Sequence, residues 1–507
     1  MSSSPRFPEV MPPIVVAADP DIEMAIVVEA IPPVKLEDPY LVAFDQPFDS
    51  DNPKDWSTTL KPVAESASVT VHFNRIMVST IMAPALPAIA AELHMTSTES
   101  FMALSIYVLA TAIGPLLLSP LCELYGRKPI LHASNLWFLI FNIVCGFARN
   151  KQTLIAARFL AGFGASAIFS LAAAVLGDIW RPKQRGTTLA VYSLIPLLGS
   201  AVGPIIGGIM AERTTWRWMF WSTSAFQGLM VVLSFVGSKE THGPTILYRR
   251  AEGIRRDTNE SRYQTVYERL QADRNVLASI WLSFSRPLRL LATHPIVQIV
   301  AVFQAFNYGV LYIVLSSFAT LWTQHYHQHI GTSGLHYIAI ALGEVVGSQV
   351  AGRLMDRIFA RLTAKAGLSE GESAPEWHLP LVLPSVLIVS SGLLVYGWAA
   401  AFHVHWMVVD IGAFLYSFGG QIVGQPMTAY IIDAYPEYVS SATAATRFVT
   451  SMCAFAFPLF TPAMYRMLGY GWGNTVISLA AVVLLVPAPL VLWRYGTTLR
   501  TKTVMIF

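Results

Sequence analysis

The chain has 507 residues, of which 54% are hydrophobic and only 13% are charged. Soluble domains carry about 25% charged residues, so this composition excludes an ordinary soluble domain and indicates a chain solvated largely by lipid. The formal net charge of +3 is small, and without a basic and aromatic patch it excludes a nucleic-acid partner.

The first segment, residues 1–60, is acidic and proline-rich and shows no sustained hydrophobic period. It is predicted to be a mostly disordered tail, and its lack of a basic start indicates that it is not a cleavable signal peptide. Apolar stretches of about 20 residues follow, each long enough to cross roughly 30 Å of hydrocarbon. The first six predicted spans lie at 64–88, 101–120, 128–147, 153–177, 187–210 and 217–236.

A polar stretch at 237–293 separates these spans from six more. The second set lies at 295–321, 334–358, 380–401, 406–429, 439–462 and 472–493. The pattern predicts an all-α membrane protein with twelve transmembrane helices in two pseudo-symmetric six-helix bundles. The bundles occupy 61–236 and 294–494, with a central loop at 237–293 and a C-terminal tail at 495–507.

The distribution of Lys and Arg between the loops predicts the orientation in the membrane. Loops on the same side as the N-terminus carry most of the positive charge, for example Arg181 and Arg357, whereas the opposite loops carry few, such as Arg149 and Arg213. Since cytosolic loops are enriched in Lys and Arg, both termini and the central loop are predicted to be cytosolic.

The two halves repeat a short pattern at the end of the second helix of each half. The stretch SPLCELYGRKP at 119–129 follows the second span, and GRLMDR at 352–357 follows the eighth. Glu123 and Asp356 hold equivalent places in these stretches. Many secondary transporters are built from such repeated halves, with the substrate bound near the bilayer midplane between them.

Several short motifs resemble those of the major facilitator superfamily, in particular its fungal twelve-span drug:proton antiporters. The resemblance covers about residues 51–500. The motifs are NPKDW (52–56), ELYGRKP (123–129), RFLAGFGAS (158–166), GSAVGPIIGG (199–208), WRWMFW (216–221), ETHGPTIL (240–247), IDAYP (432–436) and GWGNT (471–475). The resemblance implies transport coupled to a proton gradient, and the chain carries no Walker lysine loop for direct use of ATP.

The first of two motifs with an implied role is ELYGRKP, which members of the family use as a conformational latch. The residues concerned here are Glu123, Gly126, Arg127 and Lys128, with Asp356 as the counterpart in the second half. Gly126 permits a tight bend between two spans, and the two cations hold the loop at the cytosolic surface. A plain cytosolic anchor fits the same charges.

The second is GSAVGPIIGG, which matches the antiporter motif of the fifth span. The resemblance implies export instead of uptake. Glycines four residues apart let two helix backbones approach closely, and a proline bends the span, so ordinary helix packing also explains the pattern. The residues of the motif are Gly199, Gly203, Pro204, Gly207 and Gly208.

Candidates for proton coupling are the charged residues embedded in predicted spans. Some drug antiporters carry an aspartate in the first span, but the corresponding position here is Val78. Glu344 and Asp410 remain as embedded acids, and Glu344 is the stronger candidate because Asp410 is close to the outer end of its span. The resemblance implies a proton-transfer role for Arg158, although a cation that snorkels to the outer face fits the same position.

Arg75, next to Asn74 in the first span, admits three interpretations. It pairs with a buried acid such as Glu344, it binds an anionic substrate, or the span begins later than predicted. The resemblance implies that both side chains face a central cavity, because the first span of each half lines that cavity in the family. The predicted cavity residues are Asn74, Arg75, Tyr107, Phe303, Gln304, Phe306, Asn307, Tyr308 and Gln421.

Three alternate histidines, His325, His327 and His329, follow the seventh span. Such spacing can bind a metal from an extended segment, but no acid or cysteine accompanies them, so a titratable surface loop is favoured over a metal site. No metal and no cofactor are predicted, and the proton gradient supplies the coupling ion.

Together these features predict a proton-coupled pump that exports small amphipathic organic molecules, such as drugs, toxins or secondary metabolites, across the plasma membrane. Its partners are the small-molecule substrate and membrane lipid, the family expectation is a monomer, and no catalytic motif suggests an enzyme. One alternative is an exporter of polyamines or other organic cations, which a central arginine disfavours. Another is a non-transporting membrane sensor, which would need a long folded cytosolic domain.

Overall fold

The computed structural model describes residues 39–45, 48–57, 60–179, 198–200, 202–237, 239–271, 276–366, 375–435 and 439–504. The fold is built almost entirely from helices. They are α1 (Leu60–Thr80), α2 (Leu86–Glu92), α3 (Ser97–Tyr125), α4 (Arg127–Gly146), α5 (Lys151–Ile179), α6 (202–213), α7 (Arg217–Gly237), α8 (Gly243–Thr258), α9 (Val266–Gln271), α10 (Val276–Thr293), α11 (Pro295–Thr320), α12 (Ile330–Ala366), α13 (Val382–Ala401), α14 (Trp406–Ala434), α15 (Val439–Leu485) and α16 (Pro487–Val504).

Short elements complete the chain. Two strands, β1 (Leu41–Val42) and β2 (Gln264–Thr265), pair in parallel. The remaining elements are 3₁₀ turns at Pro53–Asp55, Ala83–Ala85 and Pro375–Leu381 and a π-helical turn at Leu321–His325.

Nine stretches of the described residues are long and apolar enough to cross a membrane. One of them, Ser441–Arg500, covers most of α15 and α16. Helix α15 is itself divided in two at Gly469, where the backbone is non-helical with φ 69° and ψ 176°. Each of the twelve predicted spans overlaps a described helix. The first part of the predicted fifth span, 187–197, lies outside the described residues.

The first span is interrupted near one end. Helix α1 stops at Thr80, a turn with Pro84 follows, and α2 begins at Leu86. Proline has no backbone N–H, so Pro84 cannot donate to the carbonyl of Thr80 as a helical residue would. The carbonyl groups of the last turn of α1 are therefore open to partners from other helices.

The helices pack as two bundles that meet along a central seam. In the first bundle α5 packs on α3 and α4, and α7 packs on α4 and α1. In the second bundle α14 packs on α12 and α13, and α15 packs on α11 and α13. The bundles contact each other through α3 and α15 and through α11 and the turn that follows α1.

Part of the predicted N-terminal tail is folded. Leu41 pairs with Gln264 across the two strands, and Arg250 Nη1 lies 2.8 Å from Asp49 Oδ2. The hydrogen bonds from Arg250 lower the pKa of Asp49 to about 2. The prediction of a disordered tail is therefore wrong for residues 39–45 and 48–57, because they dock on the central segment; residues 1–38 lie outside the described residues.

The central segment also has secondary structure of its own, since α8, α9 and α10 lie within 237–293. Trp56 packs with Val175 and Ile179 at the end of α5. The tail and the central segment thus form one small layer against the first bundle.

Candidate functional site

A cavity of about 960 Å³ lies between the two bundles. Its walls come from α1 and α3 of the first bundle and from α11, α12, α14 and α15 of the second. The lining continues along α12 to Arg353 and Asp356, at the end that the loop charges assign to the cytosol. Five tyrosines line the cavity, namely Tyr107, Tyr308, Tyr312, Tyr337 and Tyr416.

Helix α6 and the residues just before it pack closely on α1 through three glycines. A Cβ atom at Gly199 would lie 3.0 Å from the carbonyl oxygen of Phe73, and one at Gly207 would lie 1.9 Å from that of Ile81. At Gly203 the corresponding distance to the Met77 carbonyl oxygen would be 2.6 Å. Only glycine fits at this separation, so the glycine pattern sets how closely the two backbones approach.

The next glycine joins the two bundles. A Cβ atom at Gly208 would lie 3.0 Å from Gly334 Cα, and one at Gly334 would lie 2.9 Å from the carbonyl oxygen of Pro204. Helix α6 of the first bundle and α12 of the second therefore touch backbone to backbone at one end of the seam.

Glu344 is the acid in the middle of the cavity wall. It lies on α12, is 6% exposed, and accepts a hydrogen bond from Ser200 Oγ at 3.1 Å. Ser200 belongs to the first bundle, so this bond crosses the seam. A carboxyl group at such depth is costly in hydrocarbon and is tolerated where it faces a polar cavity.

Arg75 lines the cavity but its guanidinium is committed to the first bundle. The side chain is 1% exposed and donates to the carbonyl oxygen of Ala165 at 3.2 Å and to Ser134 Oγ at 3.4 Å. It also bonds to Asn135 Oδ1. None of these partners is Glu344. Helix α1 begins at Leu60, and the apolar stretch of the described residues that is long enough to cross a membrane begins at Thr70, later than the predicted start at residue 64 and with Arg75 inside it.

Comparison with known proteins decides the family. The family model of the Major Facilitator Superfamily matches residues 69–369 of the chain. The chain belongs to the major facilitator superfamily.

Named relatives extend over nearly the whole chain. It is 50% identical over 422 residues to a protein named Probable efflux pump mfs2 from Aspergillus flavus, which covers 83% of this chain and 99% of that protein. It is 38% identical to Efflux pump vrtL from Penicillium aethiopicum, over 92% of this chain and 91% of that one. The fold resembles a solved structure of the xylose transporter XylE from E. coli, with a TM-score of 0.61, 14% identity, and coverage of 86% and 98%.

The protein is therefore a multi-pass membrane transporter of small molecules, and the predicted major facilitator fold is confirmed. The candidate residues lie in the cavity, in the interior of the bundles, and at two sites near helix ends.

The predicted cavity residues fall into two groups. Tyr107, Gln304, Asn307, Tyr308 and Gln421 line the cavity together with Arg75. Three others, Asn74, Phe303 and Phe306, lie outside its lining, and the ring of Phe306 packs on that of Phe457.

Asn74 and Phe303 are corrected by the structure. Asn74 faces α7, where its Nδ2 donates to Gln227 Oε1 at 2.9 Å, and Phe303 is 1% exposed within the hydrophobic core. Each is a direct neighbour of a lining residue. Adjacent side chains on a helix point about 100° apart. Arg75 and Gln304 therefore face the cavity, while their neighbours Asn74 and Phe303 face the interior of the bundle.

Arg158 is fully buried, which does not fit a cation that snorkels to the membrane surface. Its Nη1 donates to the Val78 carbonyl oxygen at 3.0 Å and its Nη2 to that of Ser79 at 3.3 Å. These carbonyl groups belong to the open end of α1, where a cation also interacts favourably with the helix dipole. The Arg158 Cζ atom lies 4.5 Å from the ring centroid of Tyr107, which in turn lines the cavity.

Asp410 lies outside the cavity lining. Its Oδ2 is 2.7 Å from His336 Nδ1, and His336 Nε2 is 2.8 Å from Gln328 Oε1. Asp410 and His336 sit near the first residues of α14 and α12, so this cluster is at the end of the bundle that lies away from Asp356.

The latch residues of the first half meet partners that the sequence alone did not single out. The backbone N–H groups of Arg127 and Lys128 donate to the Glu240 carboxylate at 2.9 Å and 3.2 Å, and Arg127 Nε lies 3.2 Å from Asp178 Oδ2. Gly126 has φ 92° and ψ 171°, a conformation that glycine adopts readily. Glu240 opens the ETHGPTIL motif, so an acid at that position was a usable signal.

The two remaining latch candidates are Glu123 and Asp356. The side chain of Glu123 lies outside the described residues, and Asp356 lines the cavity.

Ser200, His72 and Arg447 are among the cavity residues that the sequence analysis did not predict. Arg447 carries the clearest missed signal, because a charged residue inside a predicted span marks a functional site in most membrane proteins. Ser200 and His72 are common residue types that give no comparable signal.

Proposed function

We propose that this transporter is a proton-coupled efflux pump for small amphipathic organic molecules, including drugs, toxins and secondary metabolites. It works in the plasma membrane by alternating access, as a monomer with both termini in the cytosol, and the proton gradient takes the place of a cofactor. The observation that carries the proposal is the hydrogen bond between Glu344 and Ser200 across the seam.

Glu344 can couple a proton to a movement because it is both titratable and part of the contact between bundles. When the carboxylate is ionised, the bond from the Ser200 hydroxyl is charge-assisted and strong. Protonation weakens that bond and removes a buried charge. The two protonation states of Glu344 therefore favour different arrangements of the bundles, which is the requirement for a coupled conformational change.

The cavity wall suits amphipathic ligands. Tyrosine rings and aliphatic side chains such as Leu311 and Ile340 supply apolar surface, and the amides of Gln304, Asn307 and Gln421 supply hydrogen bonds. Small-molecule sites typically combine a mostly apolar lining with a few placed polar groups. The antiporter glycine motif and the efflux pumps among the relatives support export as the direction.

The proposal predicts that Glu344→Gln uncouples transport from the pH gradient. The measurement uses inside-out vesicles with an acidified lumen and a panel of anionic, neutral and cationic amphipathic dyes. With one proton exchanged per molecule, a gradient of about two pH units can support accumulation of up to about 100-fold. Glu344→Gln should lose this accumulation and keep dye exchange in the absence of a gradient.

Asp257→Asn is the control, because Asp257 is an exposed acid on α8 and lies outside the cavity lining. It should accumulate dye like the wild type. Accumulation by Glu344→Gln at the wild-type level, with the same dependence on lumen pH, would remove Glu344 from the mechanism.

A further inference from the structure

We propose that Arg447 forms an anion-binding subsite in the cavity, and that the exported molecules carry a carboxylate or a similar acidic group beside an aromatic ring. The inference rests on the proposed function, since it names the substrate class of the same cavity. It concerns binding only, so it can be tested without any gradient.

Arg447 is the cation that the second bundle presents to the middle of the cavity. It lies on α15, its side chain is exposed, and it belongs to the cavity lining. The arginines of the first bundle differ in this respect. Arg75 and Arg158 are 1% and 0% exposed, and their guanidinium groups hold carbonyl and side-chain oxygens of their own bundle.

The groups around Arg447 form a mixed polar and aromatic surface. His72 of α1, Tyr308 of α11 and Glu344 of α12 line the same cavity as Arg447. A cavity that holds a cation and several tyrosine rings fits an aromatic acid, because the guanidinium binds the carboxylate while a tyrosine ring packs on the ring of the ligand.

Other polar groups of the lining already donate to the protein. Gln304 Nε2 donates to Thr428 Oγ1 at 3.0 Å, and the Tyr416 hydroxyl donates to the Asn307 carbonyl oxygen at 3.4 Å. The hydroxyl of Thr450 donates within α15 itself. These side chains are neutral, whereas the Arg447 guanidinium is a cation whose N–H groups form a planar fork that matches a carboxylate.

The charge pattern favours an anion over a cation. At the mouth, Arg353 and Asp356 are three residues apart on the same helix and offset each other. The rest of the described lining holds two cations, Arg447 and Arg75, and one carboxyl group, that of Glu344. An inside-negative membrane potential also drives an anion outward, so this charge agrees with export.

The test compares three probes of the same shape that differ in charge: 2-naphthoate, 2-naphthamide and 2-naphthylmethylammonium. Binding to the full-length protein in lipid nanodiscs is measured at equal pH on both sides. We expect the wild type to bind 2-naphthoate at least tenfold more tightly than the amide or the ammonium. Arg447→Gln should bring 2-naphthoate down to the level of the amide, and Arg447→Lys should keep part of the preference.

Arg466→Gln is the matched control, because Arg466 lies on the same helix, is exposed, and is outside the cavity lining. Its probe preference should match the wild type. If a variant fails to fold, the binding of the three probes to the wild type still tests the predicted preference for the anion. Equal binding of the three probes, preference for the ammonium, absence of binding by all three, or an unchanged preference in Arg447→Gln would each overturn the inference.

The outcomes separate this inference from the proposed function. If 2-naphthoate binds through Arg447 but no dye accumulates under a pH gradient, the subsite stands and proton-coupled export fails. If dyes accumulate in a manner that depends on Glu344 while the naphthyl probes bind alike, the pump stands and the anion subsite fails.

Discussion

At the scale of single residues, the hydrogen bonds that the structure describes for the two buried arginines of the first bundle go to neutral oxygens. Arg158 bonds to the carbonyl oxygens at the end of α1, and the bonds shown for Arg75 join it to α4 and α5. Each guanidinium therefore links several helices. This arrangement makes a structural role sufficient to explain Arg158, without a proton-transfer step.

We expect Arg158→Gln to destabilise the protein at every pH without changing how transport depends on pH. Hydrogen bonds to a charged group are each worth about 1.5–3 kcal/mol, so the loss should lower the thermal unfolding midpoint by several degrees. Arg213→Gln, at an exposed arginine near the end of α6, is the control and should leave the midpoint close to that of the wild type. A variant with unchanged stability and a lost pH dependence would instead assign Arg158 to proton transfer.

The sequence could place charged residues in spans, but it could not say which face of a helix each one takes. Asn74 and Arg75 illustrate the limit, because one contacts α7 and the other lines the cavity although they are neighbours. Neighbouring side chains differ by a rotation of about 100° about the helix axis. A span that is apolar on nearly all sides has no hydrophobic periodicity from which the orientation of the helix about its axis could be predicted.

At the scale of elements, α6 and the residues just before it pack closely on α1 within the first bundle and on α12 across the seam. The glycines of the antiporter motif lie at these contacts, as do Ser200 and its partner Glu344. Packing and function are therefore not alternative explanations of the motif. Close packing brings the hydroxyl of Ser200 to the carboxyl group that is proposed to carry the proton.

A methyl group added to this contact should disturb it. We predict that Gly207→Ala costs about 1–3 kcal/mol, because its Cβ would lie 1.9 Å from the backbone oxygen of Ile81. Gly228→Ala on α7 is the matched control. A Cβ there meets nothing within 4 Å, and alanine favours the helix by up to about 1 kcal/mol.

The unfolding midpoints of both variants in the same lipid nanodiscs provide the measurement. Gly207→Ala should unfold at a lower temperature than the wild type, and Gly228→Ala at an equal or higher temperature. Equal midpoints for the two variants would mean that α6 and α1 are not in close contact.

The spans themselves were predictable, and the folded part of the tail was not. A membrane requires about 20 apolar residues per span, and this signal is local in sequence. The order of residues 39–45 and 48–57 depends instead on contacts such as Asp49 with Arg250, which are 201 residues apart. A sequence pattern that is acidic and proline-rich does not reveal such a partner.

At the scale of the whole molecule, the two bundles touch at one end of the seam, and the cavity between them extends toward the other end. Gly208 and Gly334 form this contact, and the cavity lining reaches Arg353 and Asp356 at the other end. An outward-facing state must separate α6 from α12. That motion breaks the bond between Ser200 and Glu344, so proton binding at Glu344 and opening of the seam are linked in this account.

The measurement that tests proton coupling most directly follows protons and substrate together. Purified protein in liposomes that hold a pH-sensitive dye receives a transported compound on one side, at equal starting pH. We predict that protons cross in the direction opposite to the compound in the wild type and that Glu344→Gln moves the compound without protons. Movement of the compound through the wild type with no accompanying proton flux would contradict the account.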